Sequence, residues 1–207
     1  MPEVITFGET MVLMDPMEQG PLRHVNLFMK RVGGAESNFA IGLSRLGHSA
    51  GWVSRVGDDE FGKYVVNFIR GEGVDVSRVQ VDCEAFTGVY FKQRRSSEDN
   101  SVFYYRRGSA ASRMTGEEVD EEYLRGAKFL HVTGITPALS SSCLQAVKKV
   151  MGMARRLNIP ISLDPNIRLR LWTSSEARDV LRELVQGVDI LLPSQVEGEI
   201  LFGSNYP

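Results

Sequence analysis

Three consecutive segments decide the fold: KFLHVTG (128–134), SSSCLQAVKKVMGMARRLN (140–158) and PISLDPN (160–166). The first and third are short, apolar and bounded by turn residues, which is typical of buried strands. The middle segment is longer and repeats its apolar residues at helical spacing. A strand, a helix and a strand in this order predict two parallel strands joined by a crossover helix.

The same alternation continues on both sides of this unit. In the helix predicted for 35–47, Phe39, Leu43 and Leu46 share one apolar face, and Gly47 is placed to end the helix. The sequence therefore predicts an α/β fold, with a mostly parallel central sheet flanked by helices, as a single domain over 1–207. The other predicted strands are EVITFGE (3–9), SAGWVSRVG (49–57) and DILLPS (189–194), and the other predicted helices are DDEFGKYVVNFIRGEG (58–73) and SSEARDVLRELVQGV (174–188).

One region interrupts this alternation. VSRVQVD (76–82), GVYFKQRR (88–95) and SVFYYRRG (101–108) resemble antiparallel strands, and the turn-rich SSEDN (96–100) predicts a hairpin between the last two. Residues 11–32 could supply further strands. We expect 11–32 and 76–109 to form a small β-sheet lid that covers a cleft and excludes water from it.

The composition is that of an ordinary globular protein: 207 residues, 43% hydrophobic and 24% charged, with a formal net charge of -2. Without a basic run, neither nucleic acid nor an anionic membrane is an expected partner. Cys83 and Cys143 lack metal-ligand spacing, and the N-terminus shows no signal peptide or membrane span. A reducing cytoplasmic location is the expectation.

RVGDDEFGKY (55–64) comes close to a phosphate-binding loop, because Gly57 precedes Gly62 and Lys63. Tyr64 replaces the required hydroxyl residue, and acidic residues between the glycines would repel a triphosphate. Asp58 and Asp59 are better explained as carboxylates that open the following helix.

The most informative stretch for chemistry is RVGGAESNFAIGLSRLG (31–47). Gly33 and Gly34 remove two side chains just before a helix, so that free N–H groups can approach a ligand, and Asn38 adds a donor and an acceptor. A tight strand-to-helix turn without a ligand explains the same letters equally well. A dinucleotide fingerprint is not present.

GGAESNFAIGLSRLG, VSRVGDDEFGKYV, FLHVTGITPALS and SLDPNIRLRLW, in this order, resemble the ribokinase-like carbohydrate kinases of the phosphofructokinase B type. Within that family, YYRRGSAAS and DPNIRLRLW look most like the 2-keto-3-deoxygluconate kinases. The resemblance covers essentially all 207 residues. It implies transfer of a phosphoryl group from ATP, with Mg²⁺, to a hydroxyl group of a sugar acid, giving the 6-phosphate, and association of subunits through the lid.

The resemblance also implies roles for individual residues. Arginine grips a carboxylate in a fork and tyrosine hydroxyls bond sugar oxygens, which suits a sugar acid. Asn166 and Ser194 would lie on the nucleotide side, and Glu197 would act on the metal indirectly, whereas Asp164 is better explained as a turn residue. The residues expected to bind the sugar are Gly33, Gly34, Asn38, Tyr90, Tyr104, Arg106 and Arg168.

The family's G-A-G-D element, which carries the catalytic aspartate and an anion-stabilising helix N-terminus, does not occur in this sequence. That aspartate is expected beyond Pro207, in a longer parent protein, so the catalytic base is unknown here and we expect the 207-residue chain alone to be inactive. Two other interpretations of the function stay open. The substrate could be a neutral sugar such as fructose or ribose, or the chain could be a non-catalytic sugar-acid-binding protein.

Overall fold

The computed structural model describes residues 1–95 and 100–203, which form two sheets and six α-helices. The strands are β1 (Val4–Phe7), β2 (Met11–Pro16), β3 (Phe28–Gly33), β4 (Ala50–Gly57), β5 (Val79–Asp82), β6 (Val89–Arg94), β7 (Asn100–Tyr105), β8 (Phe129–Thr133), β9 (Ile161–Asp164) and β10 (Ile190–Leu191). The helices are α1 (Ala35–Arg45), α2 (Glu60–Gly71), α3 (Glu121–Leu124), α4 (Ser141–Arg156), α5 (Ser174–Val185) and α6 (Gln195–Phe202).

The central sheet has the strand order β10-β9-β8-β1-β4-β5, and all its neighbouring strands are parallel. Successive strand residues point to opposite faces of the sheet, and helices cover both of these faces. In β4, Trp52 packs in the cluster that contains residues of α1 and α2, while its neighbour Val53 packs in the cluster that contains residues of α4 and α5. The predicted α/β architecture is confirmed, with all five of its predicted parallel strands and their helices.

The start of α2 confirms the capping interpretation for Asp59. Asp59 is the N-cap and accepts a hydrogen bond from the Gly62 amide at 2.7 Å, while its second oxygen accepts one from the Thr87 amide at 2.8 Å. A carboxylate therefore occupies the amides that a phosphate would need.

The predicted apolar face of α1 is partly wrong. Leu46 is 76% exposed, and the fully packed face instead carries Ala40 and Ile41. Phe39 stacks on the His131 ring, with a centroid separation of 3.8 Å. Gly47, at φ 88°, follows the helix as predicted.

The second sheet has the strand order β3-β2-β6-β7. Strands β6 and β7 pair antiparallel, as predicted, whereas β2 and β6 pair parallel. The predicted turn at 96–100 lies outside the described residues, apart from Asn100. The expectation for 76–82 is wrong, because β5 pairs parallel with β4 at the edge of the central sheet, where Gln80 also accepts a bond from Arg55. Of the described residues in the predicted lid segment 76–109, only those of β6 and β7 therefore belong to the small sheet.

No α-helix within residues 1–95 and 100–203 combines the length and apolarity needed to cross a bilayer.

Candidate functional site

A cleft of ≈ 920 Å³ lies between the small sheet and the carboxyl ends of the central strands. This edge is where open parallel sheets bind ligands, because the loops there are free to diverge. The small sheet contributes side chains from β6 and β7, and the central sheet contributes the loops after β1, β8 and β9. The cleft is lined by every residue predicted to bind the sugar, together with Asn166: Gly33, Gly34, Asn38, Tyr90, Tyr104, Arg106, Asn166 and Arg168.

The two glycines are required by close packing at the turn into α1. A β-carbon on Gly33 would lie 2.1 Å from the Tyr90 hydroxyl oxygen, and one on Gly34 would lie 2.5 Å from the Glu9 carbonyl oxygen. Asn38, in the first turn of α1, is exposed toward the cleft. The glycines therefore allow the strand-to-helix turn to approach the small sheet, whether or not a ligand is present.

Aromatic rings form the wall contributed by the small sheet. Tyr90 and Tyr104 face each other across β6 and β7, with ring centroids 5.5 Å apart and planes inclined by 25°. Burial raises the pKa of Tyr90, so its hydroxyl is neutral at physiological pH. The Arg106 guanidinium lies 5.5 Å from the centroid of the Tyr104 ring. Tyr105 points away from the cleft and is 61% exposed, as its adjacent position in β7 requires.

Arg106 pairs with a carboxylate that the sequence analysis missed. Glu9 follows β1 and accepts a hydrogen bond from Arg106 and one of 3.1 Å from the Ser109 hydroxyl. Its side chain is 1% exposed, and burial raises its pKa although Arg106 and Ser109 act in the opposite direction. Its position at the carboxyl end of the first strand was the signal that could have identified it.

A second buried carboxyl group, Glu36, lies behind the cleft. It accepts hydrogen bonds of 2.7 Å from the hydroxyls of Thr133 and Thr136, and its other oxygen has no partner among the described residues. Burial raises the pKa of Glu36 to about 7, and the charge of Glu9 acts in the same direction. Glu36 is therefore substantially protonated at neutral pH.

The loop after β9 carries Asn166 and Arg168 into the cleft. Asn166 adopts φ 40°, and both its amide N–H and its side chain donate to Asp164, at 2.9 and 3.0 Å. These contacts suit the turn role expected for Asp164. The side-chain oxygen of Asn166 is buried without a partner among the described residues, and Arg168 is exposed to the cleft.

The structure does not place Ser194 and Glu197 in the lining of the cleft. Ser194 caps α6 in a reciprocal capping box with Glu197. Glu197 also accepts a 2.7 Å hydrogen bond from the Ile167 amide, which ties α6 to the loop that presents Arg168. Burial alone would raise the pKa of Glu197, but the hydrogen bonds from Ser194 and Ile167 outweigh it and lower the pKa.

Positive charge dominates the cleft. Besides Arg106 and Arg168, the lining contains Lys92, Arg107 and Arg170, whereas Glu9 is the one carboxylate among the described lining residues. Lys92 lies two positions after Tyr90 in β6 and therefore on the same face, which is a signal that the sequence analysis did not use. A cleft of this charge favours an anionic ligand.

The sequence matches the family model of the pfkB family carbohydrate kinases over residues 1–206. The chain belongs to this family. Two relatives are each 41% identical to this pfkB-family chain: 2-dehydro-3-deoxygluconokinases of Thermoproteus tenax, aligned with 100% of the chain, and of Bacillus subtilis, aligned with 99%. The chain spans 64% of the length of each.

Solved structures agree with this assignment. The PfkB protein from Polaromonas sp. JS666 is 43% identical, with a TM-score of 0.95, over 100% of this chain and 70% of that one. A sugar kinase from Pyrococcus horikoshii, solved in complex with ATP, is 30% identical with a TM-score of 0.88, over 96% of this chain and 65% of that one.

Proposed function

We propose that the longer parent protein of this chain phosphorylates a sugar acid, 2-keto-3-deoxygluconate, to its 6-phosphate with ATP, and that the cleft is its sugar site. The observation that carries this proposal is the excess of cationic side chains around Tyr90 and Tyr104, which suits a sugar with a carboxylate. The 2-dehydro-3-deoxygluconokinase relatives support the same substrate.

The chain's own residues would bind and orient the sugar. Arg106 and Arg168 would hold the carboxylate, while Tyr90 and the residues around Gly34 and Asn38 would bind hydroxyl oxygens. The small sheet would exclude water from the transfer.

ATP would supply the phosphoryl group, and Asn166 is proposed to lie on the nucleotide side because the loop after β9 carries it into the cleft lining. Within residues 1–95 and 100–203, no group of three or more His, Cys, Asp or Glu side chains could hold a metal ion. Both Glu197 oxygens already accept hydrogen bonds, so any contribution of Glu197 to Mg²⁺ would be indirect.

The G-A-G-D element is missing from these 207 residues, and we therefore propose that the chain alone binds the sugar acid without turning it over. A product assay with ATP, run against a protein-free control, tests this point.

Calorimetric titration with 2-keto-3-deoxygluconate and with fructose tests the substrate class. Arg106→Ala should weaken binding of the sugar acid by roughly 2 to 5 kcal/mol, because this arginine is largely buried, and Arg168→Ala should cost less because Arg168 is exposed. Fructose should be affected much less. Arg178→Ala, whose guanidinium bonds the Ile200 carbonyl outside the cleft, is the control. Equal affinity for both ligands, with equal losses in Arg106→Ala, would favour a neutral-sugar kinase.

We also propose that two copies associate through the small sheet. Phe103 and Tyr105 lie on the face away from the cleft and are 40% and 61% exposed, so a second copy could cover them. Light scattering on the wild type and on Phe103→Ser tests this, since a monomeric wild type contradicts it. A cytoplasmic location is proposed from the two free cysteines, Cys83 and Cys143.

A further inference from the structure

The carboxylate of Glu9 forms a buried ion pair with the guanidinium of Arg106. Glu9 Oε2 accepts from Arg106 Nη2, and Glu9 Oε1 accepts from Ser109 Oγ at 3.1 Å. Glu9 comes from the end of β1 and Arg106 from the segment after β7, so the pair joins the central sheet to the small sheet. The two side chains are 1% and 10% exposed. A charge pair this sheltered from water is little screened and fixes the geometry of both groups.

The bond to Glu9 leaves part of the guanidinium without a partner. Arg106 Nε is buried, and no acceptor for it exists among the described residues. Arginine has five N–H donors in a rigid plane, so fixing one nitrogen fixes the direction of the others. Because Arg106 lines the cleft and its side chain is 10% exposed, a ligand in the cleft can reach the guanidinium.

We propose that Glu9 is a positioning residue for the sugar site: with Ser109 it holds the Arg106 guanidinium against the cleft wall, so that the remaining N–H donors meet the carboxylate of the sugar acid. This inference rests on the proposed function. In this arrangement the orientation of the ligand and its electrostatic attraction come from different cations of the cleft. Glu9 orients Arg106, and the exposed cations, such as Arg168, supply attraction without a fixed direction.

Glu9→Gln tests the proposal, since it keeps the shape of the side chain and removes the charge, and Glu9→Asp is the conservative variant. In calorimetric titrations, Glu9→Gln should weaken binding of 2-keto-3-deoxygluconate at least about tenfold and leave fructose nearly unchanged. Glu9→Asp should restore part of the loss. Ser109→Ala, which removes only the weaker contact, should give a smaller effect in the same direction.

A second readout does not depend on any ligand. The Nε–H resonance of Arg106, assigned by its absence in Arg106→Lys, should be sharp and slow to exchange in the wild type, because the guanidinium is held in a buried site. In Glu9→Gln it should broaden or disappear, while circular dichroism stays unchanged. If Glu9→Gln does not fold, the same measurement on Ser109→Ala and Glu9→Asp decides.

Three results would overturn the proposal. Tighter binding of the sugar acid by Glu9→Gln would show that Glu9 competes for Arg106 rather than orienting it. Equal losses for the sugar acid and fructose would show that Glu9 contacts the sugar ring or supports the fold generally. An unchanged Arg106 resonance in Glu9→Gln would refute the positioning role, whether or not the wild type binds a ligand. Failure of the wild type to bind either ligand would by itself count against the proposed function.

Discussion

The hydroxyl oxygen of Tyr90 lies 2.1 Å from the point that a β-carbon on Gly33 would occupy. Gly33 ends β3 and Tyr90 belongs to β6, so the missing side chain lets the turn into α1 close against the small sheet. The stacking of Tyr104 on Tyr90 depends on this approach, because the Tyr90 ring occupies the space that a side chain on Gly33 would fill.

Gly33→Ala should displace the Tyr90 ring and disturb the cleft. We expect a loss of about 1 to 3 kcal/mol in unfolding free energy, as for an overpacked core site, together with weaker sugar-acid binding. Urea denaturation and calorimetric titration measure the two effects. Gly42→Ala is the matched control: its β-carbon would meet no atom within 4 Å, and alanine in a helix should stabilise by about 0.5 to 1 kcal/mol. Equal behaviour of the two variants would contradict the packing argument.

Glu36 should make stability fall as pH rises. Its pKa in the folded protein is about 7, above the ordinary 4.5, so the folded state holds a proton that the unfolded state releases. The stability linked to the neutral group is therefore fully present below pH 4.5 and is lost as pH rises through 7. Relative to Glu36→Gln, the wild type should lose roughly 3 kcal/mol between pH 4.5 and pH 8. Urea denaturation across this range measures it, and a pH-independent difference between the two proteins would refute the assignment.

Glu197 should contribute more to stability than the equivalent carboxylate of α5. Glu176 forms the same kind of capping box with Thr173, but Glu197 also accepts the Ile167 amide. We expect Glu176→Ala to have a small cost, because Glu176 is exposed, and Glu197→Ala to cost about 1.5 to 3 kcal/mol more, because the Ile167 amide loses a charged acceptor. Thermal or urea unfolding measures the difference. Similar costs would mean that the Ile167 contact adds nothing.

Arg170 joins the loop after β9 to the small sheet by donating to the Val102 carbonyl in β7. Its removal should loosen the small sheet without unfolding the protein. Arg170→Ala should speed amide hydrogen exchange in β7 several-fold, with a global loss below about 1 kcal/mol because the contact is exposed. Arg178→Ala removes a similar exposed bond, to the Ile200 carbonyl, and should leave β7 exchange unchanged. Exchange in β7 that is the same in both variants would contradict a bridging role.

The central sheet could be predicted because its signals are local. Strands β8 and β9 and helix α4 each carry their own apolar period and turn residues, so a short window of sequence suffices. The strand β5 could not be assigned in this way. It has four residues with exposed Gln80 and Val81, and only its partner β4 decides that it is parallel.

The residues predicted for the sugar site came from a resemblance in motifs, and the structure brings them to one cleft. What no motif showed is the pairing behind them. Glu9 and Arg106 are separated by 97 positions, and a carboxylate just after a strand gives no local sign that it will be buried with an arginine. Glu36 lies in the first turn of α1, where acidic residues are common, so its position gives no local sign of its burial.

The sequence by itself determined the strands and helices of the central sheet other than β5 and the glycine pair before α1, since these follow from local spacing, and its resemblance to a family indicated the residues of the proposed sugar site. Tertiary structure decided which charges are buried and which groups meet. The pKa values of Glu9 and Glu36 depend on loss of water and on partners contributed by distant segments. Those costs and compensations arise only when the two sheets come together.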